Sequence, residues 1–333
     1  MHDAVKLYVP GRPEIKVVAI GGGHGLSTML RGLKRYTKDI TAIVTVADDG
    51  GGSGMLREEL GILPPGDIRN CILALANTEP TLEQLLNYRF TEGSLAGQSF
   101  GNLFLAAMNG ISGSFDEAVH RMGDVLAITG RVLPVTDENV HLEAEFVNGS
   151  TVLGESKIFY AKKVNDCRIR EVRLVPERPR ALPESLEAIA QADLILLGPG
   201  SLYTSIIPNL LVEGVAEAIA ASPALKILVM NIMTQDGESE GYTGADHVRA
   251  LIQHGAPGIV DVVIANNAEL PESTLLPYRQ EGVGPLVLDR EAVEALGVEV
   301  REYPLALAGR YVRHDTDALA SAVMEVYRHR KLR

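Results

Sequence analysis

The chain has 333 residues, 46% of them hydrophobic, and a formal net charge of −12. That length accommodates one large α/β domain, and no run of lysine or arginine is long enough to track a nucleic-acid backbone, so nucleic acid is excluded as an expected partner. No apolar run approaches the roughly 20 residues that cross a bilayer, so no transmembrane segment is expected. The start, Met1-His2-Asp3-Ala4-Val5-Lys6, lacks the charged-then-apolar plan of a signal peptide, and the expected location is the cytoplasm. Cys71 and Cys167 are far apart and form no CxxC, which points to neither a zinc site nor a disulfide framework.

Lys16 to Ile20 is a nearly continuous apolar run, as a strand buried on both faces requires. It ends at Gly21-Gly22-Gly23-His24-Gly25, after which Leu26, Met29, Leu30 and Leu33 recur at helical spacing. Ile40 to Val46 reads as a second strand, parallel to the first, that stops at Asp48-Asp49 and a second glycine run. Residues 67–128 are predicted mostly helical. Leu142 to Val147 alternates, Asn148-Gly149 is a hairpin turn, and Thr151 onward alternates again, giving an antiparallel insertion over about 139–175. The α/β rhythm then resumes with strands at Asp193–Leu197, Lys226–Asn231 and Val260–Ala265, and a terminal helix near Asp315. The expected fold is α/β: a doubly wound, Rossmann-like sheet in one domain over 1–333, with the insertion inside it.

The first glycine loop follows a buried strand and opens a helix, where free amides and the helix dipole attract a phosphate. No lysine follows the glycines and the third glycine of GxGxxG is missing, which disfavours both the P-loop and the full dinucleotide fingerprint. Asp48 and Asp49 lie near the spacing of a ribose-binding acid. As adjacent carboxylates they can also hold Mg²⁺ beside a phosphate, or take a proton from an attacking hydroxyl. Asp67, in Pro65-Gly66-Asp67-Ile68-Arg69-Asn70, reads as an N-cap, with Arg69 and Asn70 in a first helical turn where a cation is best explained by a facing anion. Asn102 opens a further helix toward the same cleft. Gly198-Pro199-Gly200-Ser201 repeats the strand–glycine–helix logic, so two anion-binding turns are expected at one sheet edge, with Asn231 leaving the next strand beside them. Tyr242 and His247 read equally as structural. Arg313 can meet a phosphate, and His314 with Asp315 is either an oriented base or a surface residue beside a helix cap.

These motifs, in this order, resemble the bacterial gluconeogenesis factor family (YvcK-type) within the superfamily of CofD, the 2-phospho-L-lactate transferase of deazaflavin coenzyme synthesis. The likeness runs from about residue 15 to 328. It implies a CofD-like Rossmann fold and a cytoplasmic factor needed for cell shape on gluconeogenic carbon sources, with no required cofactor. It implies a UDP-sugar such as UDP-N-acetylglucosamine as ligand, with homo-oligomers and cell-wall synthesis regulators as protein partners. The glycine loop, the Asp-Asp turn and the GPGS loop are then the nucleotide cleft, and Tyr278 and Arg313 are the late residues linked to UDP-sugar binding. His24 stands where the family usually has threonine, replacing a hydroxyl with an imidazole. A CofD-like transferase using Asp48 or Asp49 with Mg²⁺ is the alternative expectation, and an NAD(P)-dependent oxidoreductase the third.

Overall fold

A computed structural model describes residues 14–309 and 311–331; the reading of Met1–Lys6 lies outside them. The first apolar run is strand β1 (Val17–Gly21), buried at all five positions, and α1 (Gly23–Leu33) buries Leu26, Met29, Leu30 and Leu33 as the stripe its spacing predicts. Strand β2 (Ile40–Val44) is equally buried and two residues shorter than expected. The helical region contains α2 (Gly51–Leu60), α3 (Pro65–Leu75), α4 (Pro80–Asn87), α5 (Phe100–Gly110) and α6 (Phe115–Val125), and leads to β3 (Arg131–Pro134).

The insertion is not strand throughout. Strands β4 (His141–Phe146) and β5 (Thr151–Leu153) form the hairpin at Asn148-Gly149, but helix α7 (Glu155–Asn165) replaces the expected alternation before β6 (Ile169–Val175) returns beside β4. Gly154, at φ 113°, is where strand gives way to helix. Leu142, Ala144 and Phe146 are fully buried on the inner face of β4, which explains why only that strand's alternation is clean.

The remaining elements are α8 (Pro183–Gln191), β7 (Leu194–Leu197), a π-helical turn at Leu202–Ile206 running into α9 (Ile207–Leu210), α10 (Val215–Ala221), β8 (Leu225–Val229), α11 (Gly244–His254) and β9 (Val262–Asn266). They continue through α12 (Glu272–Gln280), α13 (Arg290–Glu294), β10 (Glu299–Tyr303), the two-residue ribbon β11 (Ala306–Leu307) with β12 (Arg313–His314), and α14 (Thr316–Lys331).

Seven strands pair in parallel in the order β10-β9-β8-β7-β1-β2-β3. Chain order runs outward from β1 to β3 on one side and from β7 to β10 on the other, so the direction of winding reverses between β1 and β7. Loops leaving the carboxyl ends of those two strands meet at this switch point, where ligands bind in open α/β sheets. Both glycine loops lie there. A Cβ on Gly25 would overlap the carbonyl of Pro199, so the loops touch backbone to backbone. Edge strand β10 escapes sequence detection because its residues alternate with charged ones instead of forming an apolar run.

Gly25→Ala should therefore force the two loops apart and cost about 1–3 kcal/mol, as overpacking a close contact does. Urea unfolding at an unchanged m-value is the measurement, and stability equal to that of the unsubstituted chain would contradict the contact.

Candidate functional site

The predicted site residues fall into two clefts that share His24. The first has a volume of about 690 Å³ and is lined by Gly22 to Gly25, Gly200, Ser201, Asn231, Tyr278 and Arg313. The second, about 420 Å³, is lined by His24, Asp48, Asp67, Arg69, Asn70 and Asn102. The resemblance implies one cleft for the Asp-Asp turn and the GPGS loop; here Asp48 and the GPGS loop line two volumes that meet at His24. Gly21 and Gly198 line neither: the Gly21 carbonyl accepts the Thr45 amide at 3.0 Å, and the Gly198 amide donates to Ile20 at 2.9 Å, so both fasten the loop bases to the sheet.

In the first cleft α1 begins at Gly23, whose amide Asp67 accepts, and Gly22 to Gly25 line the open volume. Arg313 lies on β12, and Tyr278 on α12, whose hydroxyl accepts the Val312 amide at 2.8 Å. That bond ties the helix carrying Tyr278 to the ribbon carrying Arg313 and seats both on one wall. Asn231 donates from Nδ2 to the Gly200 carbonyl at 2.9 Å, leaving its Oδ1 for other partners. His314 is held at one nitrogen: its Nε2 lies 3.1 Å from the Met230 carbonyl, and burial pushes its pKa down to about 4. Asp315 accepts the Asp317 and Ala318 amides, both at 2.9 Å, and is the cap of α14.

The GPGS loop is not a second open anion site. The Glu238 carboxylate accepts the Tyr203 amide and faces that of Thr204, filling the helix N-terminus from inside the protein. Sequence reasoning missed Glu238, which comes from a loop some 35 residues away. Ser201 makes no cap and donates instead to Gln235 at 2.8 Å.

In the second cleft the two adjacent aspartates part. Asp48 accepts the Gly50 amide at 2.8 Å and faces the cleft, whereas Asp49 accepts the Ser156 amide at 2.8 Å and so holds the N-terminus of α7. Asp67 is no N-cap: Pro64 holds that position, and the carboxyl of Asp67 faces Gly22 so closely that a Cβ there would come within 2.5 Å. Because α3 begins at Pro65, Arg69 and Asn70 sit beyond its first turn. Among the described residues no three His, Cys, Asp or Glu side chains converge as a metal-binding group. Helix α7 borders the first cleft. Phe159 lines the first, Glu155 sits near Asp48 and Asp67, and ion pairs Lys162–Glu240 (3.1 Å) and Lys163–Asp236 (2.6 Å) fix its far end.

Electrostatics follow from this crowding. Burial, then the neighbouring Asp48, raises Asp67 to about 7; burial, then Asp48 and Asp49, raises Glu155 to about 8; burial raises Glu238 to about 7. His24 is lowered by partial burial and by Arg313, Arg69 and Arg31, and is neutral at pH 7. The three carboxyls bind a proton more tightly folded than unfolded, so their contribution to stability is complete below the unfolded values of 3.8 and 4.5 and is lost as pH rises through the folded ones. Between about pH 7.5 and about pH 8.5 ordinary histidines stay neutral in both states, and Tm should fall with rising pH. Glu155→Gln should flatten that slope, and a Tm rising with pH over this window would refute the assignment.

The model of the family described as 2-phospho-L-lactate transferase CofD matches residues 17–306. The gluconeogenesis factor of Bacillus subtilis is 48% identical over 314 residues, 93% of this chain and 98% of its own. That of Listeria innocua is 44% identical over 311 residues, covering 93% and 94% respectively. A UPF0052-family crystal structure from Bacillus halodurans superposes with a TM-score of 0.90 at 44% identity, covering 94% of this chain and all of that one. The sheet, the loops and these likenesses agree: the chain belongs to the gluconeogenesis factor family, within the CofD family.

Proposed function

We propose that this protein is a cytoplasmic regulatory factor that binds a UDP-sugar such as UDP-N-acetylglucosamine and supports cell shape during growth on gluconeogenic carbon. The observation that carries the reading is the glycine loop at the start of α1, which lines a cleft of about 690 Å³ together with Arg313. Glycine-loop amides and a guanidinium suit a diphosphate, and Asn231, Gln235 and Asp236 in the same lining suit ribose and sugar hydroxyls. The relatives' name, gluconeogenesis factor, supports the physiological half of the proposal.

Calorimetry should detect UDP-N-acetylglucosamine binding, weakened at least roughly tenfold by Arg313→Gln, the loss of one charge-assisted contact. A bound diphosphate offsets the arginines that depress His24, so affinity should rise as pH falls through the imidazole range, and His24→Thr should abolish that dependence. No binding up to about 1 mM ligand would sink the proposal. In cells lacking the gene, the wild-type chain but not Arg313→Gln should restore shape on gluconeogenic carbon.

A second reading, a CofD-like transferase, is favoured by the matching family model and by Asp48 and Asp67 lying beside His24. Mg²⁺ needs only one or two carboxylates plus phosphate oxygens, and Asp48 would hold it here; when bound it would neutralise phosphate charge. Asp48 would also be placed to accept a proton from an acceptor hydroxyl. Transfer of a phospholactyl group from a nucleoside diphosphate donor should then occur and should vanish in Asp48→Asn; turnover that survives the substitution removes Asp48 from the reaction.

A further inference from the structure

Beside the outer edge of β3 lies a groove of about 520 Å³ that shares no residue with either cleft. Strand β3 is the last of the seven-stranded sheet and pairs only with β2. The Val135 amide donates to the Val44 carbonyl at 2.9 Å, so by the alternation of a parallel ladder Arg131 and Leu133 also face β2. Val132 and Pro134 then present their backbone groups outward. Val132 is only 4% exposed, yet no side chain and no loop backbone among the described residues bonds its N–H or its C=O. Buried backbone polar groups are otherwise almost always paired, and an open sheet edge is a template for a further strand.

The groove is built into the fold. Its lining takes Val119 and Gly123 from α6, Ile128 from the turn between α6 and β3, and Leu182 from the start of α8. That turn is pinned to the sheet. The Thr129 amide donates to the Leu75 carbonyl at 2.9 Å, and Gly130, at φ 82°, lies so close to the Ile40 carbonyl that no Cβ would fit. An edge held open in this way is ordered before anything pairs with it.

The charge of the lining selects the occupant. Asp116, Glu117, Asp124 and Glu184 stand against one cation, Arg131, whose Nε donates to the Thr41 hydroxyl at 2.9 Å. Glu117 is neutralised by Arg121 at 2.6 Å, and Asp124 meets His120 at 3.2 Å. Asp116 and Glu184 make no hydrogen bond or ion pair among the described residues. A second copy of this chain, brought edge to edge, would set these carboxylates against their own kind. Lysine or arginine on an entering strand would neutralise them, while its alternate apolar side chains covered Val119, Ile128 and Leu182. The net charge of −12 favours the approach of a cationic segment at long range.

We propose that the edge of β3 is a docking site for an extended, lysine- or arginine-rich segment of another protein, which pairs with it as an added strand. The proposal does not depend on the nucleotide-sugar reading, because none of its residues lines either cleft.

The test uses a capped hexapeptide of alternating lysine and valine, titrated into the full chain by fluorescence anisotropy. It should bind with a Kd below about 1 mM, and Asp116→Asn with Glu184→Gln should weaken it roughly three- to tenfold, as the loss of two partly exposed charge pairs does. The same peptide with its backbone amides N-methylated keeps its charge but cannot form a ladder, and its binding should be lost. Equal binding of the methylated peptide would reduce the effect to bulk charge attraction and overturn the proposal. So would absence of binding up to about 1 mM, or binding unchanged by the two substitutions. Sedimentation of the free chain addresses the remaining occupant: a dimer that the two substitutions strengthen would assign this edge to a second copy and remove the foreign strand.

Discussion

Everything in the site depends on two loops that touch without side chains between them. Gly25 lies against the Pro199 carbonyl because β1 and β7 are neighbours in a parallel sheet and their loops leave the same edge. Strand pairing sets that separation, and only a residue without a Cβ fits it. The glycine loop is thereby fixed by the sheet and not by a ligand, and the amides of α1 are presented in place before anything binds. Preorganisation of this kind removes the cost of ordering a loop on binding.

Internal acids stand at many of the helix starts. Glu238 fills the turn after β7, Asp49 fills the start of α7, and Asp315 caps α14. At α1 and α2 the N-caps are glycines, and the acids take one amide each: Asp67 that of Gly23 and Asp48 that of Gly50. The glycines beside those acids line clefts that also hold arginine: Arg313 in one, Arg69 in the other.

Much of this was legible from sequence where the signal was local. A continuous apolar strand running into glycines fixed the position of the first loop, and the resemblance placed Tyr278 and Arg313, which the Val312–Tyr278 bond seats on one wall. What was not legible depends on contacts distant in sequence. Asp48 and Asp49 look interchangeable until α7, more than a hundred residues on, takes one of them. Glu238 is one acid among many until it is seen beneath the GPGS loop, and Asp67 looks like a cap because proline at the true cap position carries no side-chain signal. Helix α7 itself was hidden because three strand residues precede it and its own stripe is weakly amphipathic. The division into two clefts was hidden for a related reason: it is set by where α2 and α3 pack, and motif order carries no information about that.

The chain's net charge of −12 gives its arginine-lined clefts a particular setting. The net charge opposes an approaching anion at long range, and the arginines of the two clefts attract it at short range. A small metabolite can enter a recess and leave the repulsion behind, whereas a polyanion must lie across the exterior to reach the same groups. The long-range field opposes capture and the short-range contacts favour it, so mobile salt, which screens the first far more than the second, eases entry.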